Sequence, residues 1–383
     1  ERLYVGFRAD DPEPSAIRAH LSDRDHFGPD DAVGVVLDTF NDERRNYLFM
    51  VNPMGVQHDV IETTNNNTPW DGIWSSAATV TDWGWSAELE IPFSTLRFQR
   101  SETPQIWGFD AIRMYPRNLS HQMGSFARDR SNNCYRCQAH KIEGFAGVSP
   151  GRNLEIVPTL TGSRTDSREE LPDDPMVAGD VETELGATVR WGFTPNLTLS
   201  GTINPDFSQI EADALQLSVN RPFAIFFPEL RPFFMEGADF FDTTLDAVYT
   251  RMMRDPAWGL KVTGKEGAHT IGAYVISDEV TNIIIPGSES SDFTSLEQSN
   301  TSTVLRYRYD IGNRFTLGVL GTDRSGADYA NRVAGIDGDF RLSDRDRVIA
   351  QILRSETAYP DEIVDDFDQP EGEFEDWAAE LYY

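Results

Sequence analysis

An apolar–polar alternation with a period of two residues returns along this chain and constrains its fold more than any other feature. In TELGATVRWGF, residues 183–193, the side chains of Leu185, Ala187, Val189, Trp191 and Phe193 fall on one face, and Glu184, Gly186, Thr188 and Arg190 on the other. Successive side chains of a strand point to opposite faces, so this is a strand with one apolar and one polar side. WGWSAELEIPF, residues 83–93, repeats the pattern, with Trp83, Trp85, Ala87, Leu89 and Ile91 opposite Ser86, Glu88 and Glu90. The expectation is an all-β chain.

The connections divide it in two. Before residue 150, short alternating segments at 32–40, 46–53, 83–93 and 106–115 are separated by turn signals, the spacing of a jelly-roll-like β-sandwich. From Leu154 onward, strands of about nine to eleven residues follow, the length of tilted membrane strands. Tight turns at 192–196, 265–269, 310–314 and 342–346 alternate with long polar loops at 164–182, 277–301 and 357–375. Trp191, Phe193, Tyr307, Tyr309 and Phe315 sit near strand ends, where an interfacial girdle would place them. We therefore expect a sandwich over residues 1–149 and an antiparallel transmembrane β-barrel over 150–383. Alternation is already under way at Leu3, Val5 and Phe7, and still running at Leu381 and Tyr383. Residues before the first and strands after the last are expected to be missing, so the barrel is incomplete.

A net charge of -30 argues against nucleic acid or an anionic lipid surface as a partner. Mean hydropathy is -0.44, and no run of about 18 apolar residues would make a membrane helix. Neither fact bears on a membrane barrel, whose lipid-facing residues alternate with polar ones.

The stretch 204–241, NPDFSQIEADALQLSVNRPFAIFFPELRPFFMEGADFF, does not read as a lipid-facing strand. Pro228 and Pro232 remove ladder donors, and Glu229, Arg231, Glu236 and Asp239 would be costly against hydrocarbon. Shielded by protein or water, Arg221 and Arg231 could pair with Glu211, Asp213, Glu229 or Glu236 in a lumenal network. Such a segment is a plug, a gate or a fixed brace between sandwich and barrel. Alternating strand direction, with one strand near 214–224 and another at 248–253, would put 226–241 at the periplasmic rim, beside the sandwich.

Two tryptophans, Trp70 and Trp74, lie in the loop NNNTPWDGIWSSA near Asn67 and Asp71. A sugar ring packs on an indole while its hydroxyls need amide or carboxylate partners, so these four residues are the candidate ligand site. The alternative is that the indoles plug the end of the sandwich. Cys134 and Cys137 form a C-x-x-C with His140 three residues on, compatible with a disulfide, two thiols or a metal site. An oxidising envelope favours the disulfide. Glu88 and Glu90 project from one strand without the separation that a glycosidase fixes, and the chain shows no nucleophile elbow, metalloprotease helix motif or phosphate-binding loop. Enzymatic activity is not expected.

The 204–241 stretch resembles the signature of a bacterial outer-membrane β-barrel family of uncharacterised function. In that family a domain similar to the family 9 carbohydrate-binding module precedes the barrel. Asp30 and Asp31 before a strand, VNPMGVQHD at 51–59, the tryptophan loop, then WSAELEIPFSTL and WGFDAIR, look like that module. The resemblance implies an outer-membrane protein with its sandwich in the periplasm, binding or passing a glycan or other polymer, or an envelope scaffold docking a protein partner. A carbohydrate-degrading hydrolase is implied only by association. It implies no bound cofactor beyond calcium, which some such modules carry.

Overall fold

The computed structural model describes residues 1–26, 28–63, 67–132, 134–151, 154–164, 166, 177–205, 229, 231–285 and 291–383, except the side chains of 67–69, 163 and 182. Among these the regular structure is nearly all β. The amino-terminal strands are β1 (Arg2–Asp10), β2 (Ala32–Asp38), β3 (Asn46–Val51), β4 (Gln57–Glu62), β5 (Asn67–Pro69), β6 (Ser75–Thr81), β7 (Gly84–Pro92), β8 (Gln105–Pro116), β9 (Ser120–Gly124) and β10 (His140–Gly144). They form a three-stranded sheet, β1-β7-β6, and a larger one, β10-β8-β2-β3-β4-β5, with β9 also on β8.

One apolar core joins the two sheets. Trp85, Ala87, Leu89 and Ile91 of β7 are buried with Val33, Val35 and Leu37 of β2, Tyr47, Phe49 and Val51 of β3, and Trp107 of β8. Each such fully buried large side chain contributes about 1.5–3 kcal/mol. Period two in 83–93 thus becomes a buried face, with one exception. Trp83 stands at the β6–β7 turn under the Arg8 guanidinium, 4.5 Å from its ring centroid, and not in the core.

The following strands are β11 (Leu154–Ser163), β12 (Glu182–Gly192), β13 (Leu197–Ile203), β14 (Pro256–Glu266), β15 (His269–Asp278), β16 (Thr281–Ile285), β17 (Asp292–Leu296), β18 (Asn300–Ile311), β19 (Phe315–Gly326), β20 (Ala330–Arg341), β21 (Arg347–Ala358) and β22 (Glu373–Tyr382). All but β16 and β17 build one ten-stranded sheet in the order β11-β12-β13-β14-β15-β18-β19-β20-β21-β22. Every neighbouring pair is antiparallel. Among the described residues this sheet is open, with β11 and β22 at its edges.

Its two faces differ in kind. Leu185, Val189, Trp191, Leu260, Leu305, Tyr307, Leu317, Val319, Ile336 and Ile352 are exposed on one, where no second layer covers them among the described residues. The other face buries Ser200, Thr202, Lys261, Thr263, Lys265, Ser302, Arg306 and Gln351. A water-soluble sheet buries its apolar side; this one buries its polar side.

The four short turns lie at the end of the sheet that meets the amino-terminal sheets. The described parts of the β15–β18 and β21–β22 connections lie at the opposite end, where they carry structure of their own. β16 and β17 form a hairpin, and a helix spans Asp361–Phe367. Ile283, Ile285, Leu296, Tyr329 and Ile363 join them in a small core.

Two expectations are corrected here. Residues 248–253 form no strand but a 3-10 turn at Thr250–Met252. The described part of 226–241 is not confined to a rim, although Glu236 and Asp239 do meet Arg97 and Arg45 of the amino-terminal part. It runs along the polar face of the sheet, where Phe233, Phe234, Phe240 and Phe241 are buried with Met253, Tyr274, Ile276, Val304 and Leu320. β13 pairs directly with β14, so no strand lies between them in the sheet. Glycines make room for it. A Cβ at Gly259 would lie 3.1 Å from Phe233, and one at Gly272 would lie 3.0 Å from Phe241. Gly237 takes a left-handed φ of 69° against Thr263, a conformation and an approach that favour glycine. The expected strand at 214–224 lies outside the described residues.

Candidate functional site

The densest convergence of charge lies where the amino-terminal sheets meet the polar face of the large sheet. Asp38, at the end of β2, accepts the backbone N–H of Glu43 at 2.8 Å and so folds the 39–45 loop back on itself. That loop, TFNDERR, then presents two acidic and two basic residues to the strand ends. Lys265 pairs with Asp42 and, at 2.6 Å, with Asp310. Arg44 lies 3.3 Å from Asp310 and donates to the carbonyls of Gly312 and Phe315 at 3.2 and 3.0 Å. Arg341, at the end of β20, donates to Glu43 at 3.0 Å. Burial alone would push the Asp42 carboxyl up, but the Lys265 ammonium beside it holds it below the usual carboxylate range.

A second layer ties in the buried segment. Arg97 donates to Glu236 at 2.6 Å and to the Thr263 hydroxyl at 3.1 Å. Arg190 of β12 reaches the other Glu236 oxygen at 3.2 Å and Glu155 at 3.0 Å. Arg45 lies 3.1 Å from Asp239, and the Arg45 and Arg97 guanidinium groups each sit 5.1 Å from the centroid of the Phe240 ring. Lys261 donates to the carbonyls of Phe233 and Glu236. Further along, Arg231 is clamped by Glu229 at 2.8 Å and by the carbonyls of Met253 and Thr250 at 2.6 and 2.9 Å.

Of the expected charge network, Arg231 therefore meets Glu229, whereas Glu236 pairs with Arg97 and Arg190. Glu211, Asp213 and Arg221 lie outside the described residues. The residues that sequence reasoning missed are those of the 39–45 loop together with Arg97, Lys265, Asp310 and Arg341. Their only signal was a dense charge run between two apolar strands.

The expected sugar platform is corrected. Trp70 is 8% and Trp74 6% exposed, both in the amino-terminal core. Trp70 packs 5.2 Å from the Tyr47 ring and 5.8 Å from Phe49, and Trp74 packs edge-on to Phe49 at 5.4 Å. Loop-type residues around them marked the turn but not its direction, which is inward. Asn67 stands in β5, its side chain outside the description. Asp71 is exposed and lies 3.4 Å from Arg24.

The resemblance allows calcium in the amino-terminal module, and Asp25, Asp59 and Asp71 converge there. The Arg24 guanidinium stands among them, donating to Asp59 at 2.8 Å, and His58 lies 2.9 Å from Asp25. Calcium asks for six to eight oxygens, so a set already neutralised by arginine does not fit it. Asp30 and Asp31 are likewise saturated, by Asn52 and His20 and by Arg117 and the Arg18 N–H. Cys134 and Cys137 are joined in a disulfide. Glu43 lies close to both sulfurs, but bridged sulfurs offer no thiolate to a metal.

Asp38 supplies a pH test. Burial, with the nearby Asp42 carboxylate, raises it from 3.8 to about 6. A raised carboxyl favours the folded state while protonated, so its contribution is complete below pH 4 and lost as pH rises through about 6. Ionising it in place costs on the order of 3 kcal/mol. Asp38→Asn, which keeps one acceptor for the loop, is expected to raise the melting temperature relative to wild type at pH 7 more than at pH 4. Equal differences at both pH values would contradict the assignment.

A family model described as a domain of unknown function, DUF5916, matches residues 154–256. No curated protein matches the chain. Among solved structures, the loop L8 deletion mutant of OmpT, an outer membrane protein of Vibrio cholerae, aligns at 10% identity with a TM-score of 0.21, covering 54% of this chain and 82% of that one.

Proposed function

We propose that this DUF5916-containing chain is a non-enzymatic outer-membrane protein, in which residues 150–383 belong to a membrane barrel filled by the segment 231–253 and residues 1–149 form a sandwich clamped over its short-turn mouth. One observation carries the reading. The ten-stranded sheet leaves its apolar face bare and buries its charged one, the arrangement that hydrocarbon outside and a packed lumen inside would select. Short turns on the sandwich side support a periplasmic position for that module, since outer-membrane barrels keep their short turns there. Clamp and filling together make the resting barrel closed, and its role that of an envelope scaffold presenting a rigidly held sandwich to a protein partner.

Val319→Arg tests the membrane face. Val319 is 48% exposed near the middle of β19. In lipid an arginine at such depth costs about 2–4 kcal/mol; in water it costs almost nothing. The expected result is a loss of that size on refolding into lipid vesicles, and an unchanged stability would remove the membrane reading. Orientation is tested by a cysteine at Asp344, whose side chain is 74% exposed in the short turn between β20 and β21 and which should resist impermeant thiol reagents added to intact cells.

A second reading, capture or passage of a glycan or other polymer, is favoured by the charged lumenal wall of Arg190, Lys261, Arg306 and Asp337. It predicts retention on polysaccharide or conductance in planar bilayers. Neither, together with a stoichiometric partner co-purifying from detergent, would select the scaffold.

A further inference from the structure

We propose that the Cys134–Cys137 disulfide is a reversible thiol–disulfide site, reduced by a dithiol protein of the thioredoxin-like class, that sets how firmly the amino-terminal sheets hold the large sheet. This goes beyond the membrane reading and does not depend on it.

The position of the bridge is the first reason. Both sulfurs accept from the Arg341 guanidinium, Cys134 Sγ at 2.9 Å. The same guanidinium holds Glu43 of the clamp loop at 3.0 Å and the Asn313 carbonyl of the β18–β19 turn. One arginine thus touches the disulfide, the clamp and the strand end. The turn carrying the bridge is anchored on its other side to the start of β3 and the end of β4, where Arg136 donates to the Asn46 amide oxygen at 2.6 Å and the Thr63 carbonyl at 2.7 Å.

Loop length is the second. The two cysteines are three residues apart, and stabilisation by loop closure grows with the logarithm of loop size. So short a bridge contributes little as a staple. The turn is already pinned, with the Cys134 N–H donating to Asn132 at 2.9 Å and the Gln138 amide donating to the Cys134 carbonyl at 3.1 Å.

The chemistry is the third. Thiol–disulfide exchange is faster when the leaving thiolate is stabilised, and a guanidinium against the sulfur does that. The charged groups facing the pair are Arg341, Glu43 and, 3.8 Å from Glu43, Lys141. Glu43 opposes the thiolate and the two cations outweigh it. Both cysteines are half-buried and not sealed. A thiolate of the reductant attacks one sulfur, the S–S bond breaks, and the other cysteine leaves as a thiolate beside Arg341. The second thiol of the reductant then displaces the mixed disulfide. Two electrons and one proton pass from the dithiol, which entered as a thiolate, to the cysteine pair, which is left as one thiol and one thiolate, and the reductant becomes a disulfide. Arg341 then shares its charge between thiolate and Glu43, so the clamp loosens.

The test uses the full chain in detergent micelles with dithiothreitol as reductant. Alkylation by iodoacetamide of the reduced chain is followed against pH, and hydrogen exchange at 39–46 and 310–316 is compared between oxidised and reduced protein. One thiol is expected to titrate at least one pH unit below the ordinary value of about 8.5. Arg341→Gln should slow its alkylation about tenfold at pH 7, and Arg341→Lys should restore much of it. Exchange at both segments should accelerate on reduction. An ordinary midpoint, or seam exchange unchanged by reduction of the wild-type chain, would overturn the proposal, and the second readout holds even where a variant fails to fold.

Discussion

Replacing Arg231 by alanine is expected to destabilise the protein by about 3–5 kcal/mol, the cost of leaving one member of a buried ion pair without its partner. The Arg231 side chain is 3% exposed and that of Glu229 16%. Burial would push the Glu229 carboxyl up, yet the Arg231 guanidinium holds it below the ordinary range, so the pair is charged where it stands. Removing the guanidinium also releases the Thr250 and Met253 carbonyls and the face of the Phe234 ring, 4.0 Å away. The measurement is the temperature at which the folded form is lost in detergent. Arg231→Met, which keeps much of the stem's packing, should recover little, because the unpaired carboxylate dominates. An unchanged melting profile for Arg231→Ala would mean that the segment 231–253 is not a fixed brace.

The second large effect is expected where the amino-terminal sheets meet the large sheet. Lys265→Ala leaves the carboxylates of Asp42 and Asp310 facing one another with only Arg44 beside Asp310, and should again cost about 3–5 kcal/mol. The loss should be local in its consequence. Deuterium exchange should rise over 39–45 and 310–316 while the far-end core around Ile283 and Ile363 stays protected. Combining Lys265→Ala with Asp42→Ala provides the control, since removing both charges of a buried pair costs less than removing one. A coupling energy below about 0.5 kcal/mol would show that the two residues act independently and that the clamp is not electrostatic.

Much of this architecture was legible because period two is a local property. The β12 alternation of Leu185, Val189 and Trp191 against Arg190 requires no partner to be recognised, and the turns at 192–196, 265–269, 310–314 and 342–346 join the strands where their residues placed them. The charged and proline-bearing segment after Arg231 was recognisably barred from lipid for the same reason. What lay beyond reach was direction. Trp70 and Trp74 stand among loop residues, and only the positions of Tyr47 and Phe49 decide that the indoles turn inward. The route of 231–253 depended on counting strands, and a count cannot register that β13 pairs directly with β14.

By itself the sequence determined the strand class, the two-sided character of the large sheet, the ends at which short and long connections fall, and which stretch had to be shielded. Each follows from side chains a few residues apart. The tertiary structure decided the rest: that Glu236 answers to Arg97 and Arg190 and not to Arg231, and that a loop of charges at 39–45 meets Lys265 and Arg341 more than two hundred residues away. Ion pairs across such separations leave no periodicity behind, because any carboxylate can satisfy any guanidinium and only the packing of the two sheet systems selects the partner.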